Sequence, residues 1–152
     1  MKFEKFLKST GTHGTVIERN ESEKWLVCDG VGMVIPRGVD NLLGTPITSE
    51  YASIVDVVAN AEYDDPVTLK EAILFDPTGS AKAIYRVFET DLGDKVGIIN
   101  ADYGLLEKSD LLGYGEIETE NVETGETETI KYLLVYDYNG NIVGFITGSQ
   151  KF

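Results

Sequence analysis

The chain has one cysteine, one histidine, four prolines and one tryptophan in 152 residues, and its 13 basic side chains face 26 acidic ones. A lone Cys28 excludes an intrachain disulfide, and with His13 as the single histidine a Cys/His metal cage cannot be assembled. Such cysteine usage fits a reducing compartment. The formal charge of -13, with no cluster of Lys or Arg, argues against direct nucleic-acid binding, because counterion release needs a basic footprint. If the charge serves recognition, the complementary surface is basic. No apolar run approaches the roughly 20 residues that span a bilayer, and Met1-Lys-Phe-Glu-Lys lacks the apolar core of a signal peptide. The expected location is cytoplasmic, with neither secretion by a signal peptide nor a membrane partner.

Groups for chemistry are equally sparse. Cys28 and His13 are the sole candidates for a thiol nucleophile and an imidazole base, yet Cys28 sits in Trp25-Leu-Val-Cys-Asp, where a small buried hydrophobe is expected. Asp137-x-Asn139-x-Asn141 alternates oxygen ligands as a calcium loop does, but Ile142 stands where that loop needs Gly and Gly148 where it needs Glu, so it reads as a turn. The Gly11-x-x-Gly14 and Gly30-x-Gly32 pairs fit no phosphate-binding fingerprint. The expectation is a non-enzyme, with no catalytic residue, no metal and no cofactor. Trp25, Arg37 and Arg86 are the stacking and anion-binding groups that a small-molecule site would use, although no spacing unites them.

What the chain does have is a ribbon of glutamates. From Gly115 to Lys131, Glu116, Glu118, Glu120, Glu123, Glu126 and Glu128 alternate with β-branched and polar residues around Thr124-Gly125. That period of two predicts an acidic β-hairpin over 115–131. A turn closing at Thr124-Gly125 would set Val122 opposite Thr127, Glu118 opposite Lys131, Ile117 opposite Tyr132, and Glu123 opposite Glu126. These six glutamates are the candidate partner-binding residues, and tyrosines exposed beside them would extend the surface. The competing reading is that the charge protects a sheet edge from aggregation.

The rest of the pattern predicts a single α+β domain over 1–152, dominated by antiparallel meanders and hairpins with one or two short helices. Phe3, Phe6 and Leu7 share one face of a helix ending at Ser9-Thr10-Gly11. Thr15–Arg19, Lys24–Cys28 and Gly32–Ile35 read as a meander. Glu50–Asn60 is the best helix, capped by Ser49, with Tyr51, Ile54, Val55, Val58 and Ala61 on one face. Val67–Phe75 and Ala81–Glu89 flank an Asp76-Pro77-Thr78-Gly79 turn, Lys95–Asn100 is a strand, and Tyr103–Leu112 is read as a short helix. Tyr132–Tyr138 turns at Asn139-Gly140 into Ile142–Thr147. Because Leu133, Leu134, Val135 and Tyr136 put apolar groups on both faces, that strand should be central, with the acidic strand as a neighbour.

The opening Phe3-Glu-Lys-Phe-Leu-Lys, Gly14-Thr-Val-Ile-Glu-Arg, Trp25-Leu-Val-Cys, Met33-Val-Ile-Pro and Asn41-Leu-Leu-Gly together resemble small uncharacterised proteins in the structural gene modules of tailed bacteriophages. The resemblance covers the first third of the chain and includes no catalytic motif. It implies a minor virion or assembly protein, located in the cytoplasm or in a virion assembled there, acting through protein contacts with other subunits or with copies of itself. A second class is an acidic inhibitor or nucleic-acid mimic that occupies a basic groove of a host protein; a third is a small-molecule-binding protein.

Overall fold

The computed structural model describes residues 1–11, 13–20, 23–38, 52–61, 65–75, 83–149 and 152. The described chain is α+β and dominated by antiparallel sheet. Its order is α1 (Phe3–Thr10), β1 (Thr15–Asn20), β2 (Glu23–Cys28), β3 (Val31–Val34), α2 (Ala52–Ala59), β4 (Val67–Phe75), β5 (Ala83–Thr90), β6 (Lys95–Ile99), α3 (Asn100–Tyr103), β7 (Leu111–Glu120), β8 (Thr127–Tyr136) and β9 (Ile142–Thr147). Six strands form one sheet in the order β1-β2-β3-β9-β8-β7, and β4-β5-β6 form a second.

Turn chemistry builds the meanders. Asp29 and Gly30 both take positive φ (49° and 78°), the mirror-image turn whose twist matches the flanking strands β2 and β3. At the opposite end of the sheet, Asp137 Oδ1 accepts the N–H groups of Asn139 and Asn141, each at 2.9 Å, and Gly140 supplies the left-handed residue between β8 and β9. The backbone N–H of Asn141 is the main reason the Asp137 carboxyl is held below its usual range. The alternating oxygens that resemble a calcium loop therefore close a hairpin.

The large sheet is buried on both faces, and strand alternation distributes its side chains between two cores. Val16, Leu26, Cys28, Val31, Met33, Leu133 and Ile146 join Phe6 of α1 and Val67, Phe88, Val96 and Ile98 of the small sheet. Ile17, Trp25, Val27, Leu134, Tyr136 and Phe145 join Val55 and Val58 of α2 on the other face. β8 supplies residues to both cores and pairs with β7 and β9, so it is covered on both faces as its apolar run predicts, but it lies next to the edge strand β7 and not at the centre of the sheet.

Several boundaries differ from the sequence reading. Among the described residues there are three short helices, and the helix expected over 103–112 is absent: α3 ends at Tyr103, Glu107 N–H donates to the Asp110 carboxylate at 2.8 Å in a turn, and Leu111 already begins β7. Asn100 belongs to α3 instead of the preceding strand. The expected cap at Ser49, the helical positions Glu50 and Tyr51, and the turn at 76–79 lie outside the described residues. Trp25 is fully buried and stacks at 6.0 Å on Phe145, so it is no platform for a ligand.

Candidate functional site

The acidic ribbon is the distal half of the β7–β8 hairpin. Its register is Glu116 opposite Lys131, Ile117 opposite Ile130, Glu118 opposite Thr129, Thr119 opposite Glu128, and Glu120 opposite Thr127. This is two residues away from the pairing expected from a tight Thr124-Gly125 turn. The cause is Asn121. Its side-chain oxygen accepts the N–H groups of Glu123 (3.0 Å) and Thr124 (3.4 Å), while its backbone N–H donates to Glu126 O at 2.8 Å and its carbonyl accepts Gly125 N–H at 2.7 Å. An Asx-type turn thus opens a loop over 121–126, with Gly125 at φ 70°. Glu123 and Glu126 lie in this loop and do not oppose each other across the ladder.

A shift of two preserves the faces. Glu116, Glu118 and Glu120 line one face with Thr127, Thr129 and Lys131 across from them, so no carboxylate directly opposes another. Glu128 lies on the other face with the half-buried Ile117 and Ile130. At the tip Val122 is 97% exposed. The six candidate glutamates are therefore divided among one face, the loop and the reverse face, all on one projecting element.

The tyrosines at the root do not form an exposed surface. Tyr114 and Tyr132 are buried, and the Tyr114 hydroxyl donates to the Glu116 carboxylate. Burial, then the hydrogen bond and charge of Glu116, push the Tyr114 hydroxyl well above its ordinary range; burial alone raises Tyr132. Tyr138, 74% exposed, lies beyond the opposite end of β8. Tyr51 and Tyr63 are outside the described residues.

The ribbon's two backbone edges are open in different ways. Tyr114 N–H donates to Asp65 O at 2.8 Å, which covers the β7 edge at its root. On the β8 side, β9 accompanies the strand to Gly148, whose N–H donates to Lys131 O at 2.7 Å. Past that point Thr127, Glu128 and Thr129 are exposed. A groove of about 260 Å³ lies alongside, lined by Glu128, Thr129, Ile130, Lys131, Gly148, Ser149 and Phe152.

A second concavity, about 600 Å³, lies between α1, the β2–β3 turn and α3, with Lys5, Ser9, Cys28, Asp29, Asn100 and Asp102 at its walls. Burial, and secondarily the charge of Asp29, raise the Asp102 carboxyl to about 6. Burial and Asp29 also push the Cys28 thiol up, which keeps it in the unreactive protonated form. His13 is exposed and is not among the lining residues. No local signal in the sequence pairs Asp29 with Asp102, and this site was missed there. Arg86 lies 4.9 Å from the Tyr103 ring and donates to Asn100 Oδ1 at 2.9 Å, while Arg37 is exposed on a loop. The three groups considered for a small-molecule site are thus not brought together.

Among the described residues no three His, Cys, Asp or Glu side chains are grouped to hold a metal ion, and no helix is long and apolar enough to cross a membrane. Comparison with protein-family models, curated proteins and solved structures gave no match.

Proposed function

We propose that this protein works by contact and performs no catalysis: its acidic ribbon is a recognition arm for a basic protein surface, and the chain is a minor structural or assembly component of a tailed-phage type of virion. The observation that carries the recognition reading is the ribbon itself, a hairpin with a side-chain-capped turn, a row of three glutamates on one face and Val122 97% exposed at its tip. Like charges along one strand do little for folding, and a large side chain held in water does less. Both suit an arm that meets a partner, with the charge steering approach and the apolar tip buried on arrival. The virion assignment comes from the resemblance of the first third of the chain to phage structural-module proteins.

The test is site-specific photocrosslinking from position 122 in cells expressing the chain, compared between the wild type and a variant in which Glu116, Glu118, Glu120, Glu126 and Glu128 are Gln. The expected outcome is a discrete crosslinked partner, weakened by salt and lost in a Gln variant whose circular dichroism is unchanged. Equal crosslinking by both proteins, insensitive to salt, would remove the arm from the functional account. Light scattering at several concentrations reports separately whether copies of the chain assemble with one another.

A further inference from the structure

β9 runs beside β8 as far as Thr147, which pairs with Tyr132. After Gly148 the chain turns away, and Ser149 N–H donates to Gly97 O of the small sheet at 2.7 Å. β8 itself continues from Ile130 back to Thr127, still paired with β7. Among the described residues no strand continues the lane of β9 beside the ribbon, and the 260 Å³ groove lies along it.

Hydrogen-bonding groups alternate sides along an antiparallel strand. Glu126 O is bonded on the β7 side, by Asn121 N–H, and Lys131 O on the β9 side, by Gly148 N–H. Thr127 and Thr129 therefore direct their N–H and C=O groups into the open lane. By the same alternation Glu116, Glu118 and Glu120 direct theirs to the outer edge of β7, as Tyr114 does toward Asp65. Three charged residues guard one edge, whereas the other presents two uncharged threonines of high β propensity. If charge served only to blunt the ribbon, both edges would need it.

The geometry points to a peptide-binding edge: an extended basic peptide adds to β8 along Thr127–Ile130 as a further strand, taking up the lane that β9 leaves. This rests on the recognition reading of the ribbon and names its partner's form. Strand addition draws affinity from main-chain bonds and specificity from alternate side chains. The peptide's side chains on one face would approach the row containing Glu116, Glu118 and Glu120; those on the other would meet Glu128 and the half-buried Ile130. Lys131 Nζ, at the closed end of the lane, is turned to Phe152 O at 3.4 Å, leaving the carboxylates to dominate toward the tip. A second copy, itself carrying -13, is a poor occupant by the same charge argument.

The probe is a fluorescent nonapeptide of alternating Lys and Val, titrated by anisotropy against the full chain. Thr129→Pro deletes one N–H aimed at the lane and none aimed at β7, a change edge strands tolerate. It should weaken binding about fivefold, as expected for one lost hydrogen bond. N-methylation of alternate amides in the peptide should weaken it further, and this arm of the test holds even if Thr129→Pro impairs folding. Unaltered affinity for the methylated peptide, together with loss of binding in the five-fold Gln variant, would leave a charge-reading arm and overturn the added strand. Unaltered binding in both the Gln variant and Thr129→Pro would overturn strand and arm together. No binding to the wild-type chain at millimolar peptide, or a concentration-dependent dimer abolished by Thr129→Pro, also overturns the proposal, the latter assigning the lane to a second copy.

Discussion

Single side chains show where local pattern is informative and where it ends. The burial of Cys28 follows from its apolar neighbours, and it is indeed 8% exposed. The placement of Asp29 and Asp102 has no such signature, because it depends on how a hairpin turn and a helix border one concavity. That placement has a measurable consequence. An Asp raised to about 6 favours its neutral form in the folded state, so its contribution is fully present below the unfolded value of 3.8 and is lost as pH rises through about 6. Because the carboxyl is partly exposed, solvent screens it and only part of the shift counts toward stability. Asp102→Asn should therefore be nearly neutral at pH 4 and stabilising at pH 7 by on the order of 1 kcal/mol, a gain of about 2–4 °C in melting temperature. Equal effects at both pH values would contradict the shift. Gly115 gives a second test. It pairs directly with Tyr132, and a Cβ placed there would stand 2.3 Å from the ring carbon Cζ. Gly115→Ala should cost about 1–3 kcal/mol by urea denaturation, since the buried ring has little room to yield.

Elements were legible where hydrophobic period and length agreed. β8 is the clearest case, because only a strand covered on both sides places Leu133, Leu134, Val135 and Tyr136 consecutively in the interior. Asp at Leu134 or at Val135 should each destabilise by about 4 kcal/mol or more, enough to abolish a cooperative melt, as a charge is buried without a partner on either face. A shift of a degree or less at either position would refute the double coverage. Two elements were illegible for different reasons. The ribbon's register is set by the Asn121 side chain, which satisfies the N–H groups of two following residues and so displaces the expected turn. The supposed helix at 103–112 has helix-like spacing of leucines, yet Leu105 is drawn into the core from a turn while Leu111 and Leu112 belong to a strand. The acidic ribbon's existence could be read from composition, but not its open lane, which depends on where β9 departs.

At the scale of the molecule, contacts distant in sequence fasten the fold. The Met1 ammonium meets Asp110 Oδ2 at 2.8 Å, with side chains 2% and 4% exposed, and Lys2 N–H donates to Leu105 O at 2.7 Å. The same Asp110 oxygen accepts Glu107 N–H. Asp110→Asn would leave a buried ammonium without its counter-charge and should cost about 3–5 kcal/mol in thermal or urea unfolding. An effect below 1 kcal/mol would mean that water already screens the pair.

The sheet order carries a consequence in time. β3 has β2 on one side and β9 on the other, and Gly32 of β3 faces Phe145 of β9. On a ribosome adding about 5–20 residues per second, the first three strands emerge on the order of 6–20 s before the strand that completes their sheet. Through that interval the nascent meander presents the bare flank of β3, with Val31 and Met33 lacking the cover they later receive. Stalling translation between β3 and β9 should yield chains that aggregate or bind chaperones, and release past Thr147 should end that state.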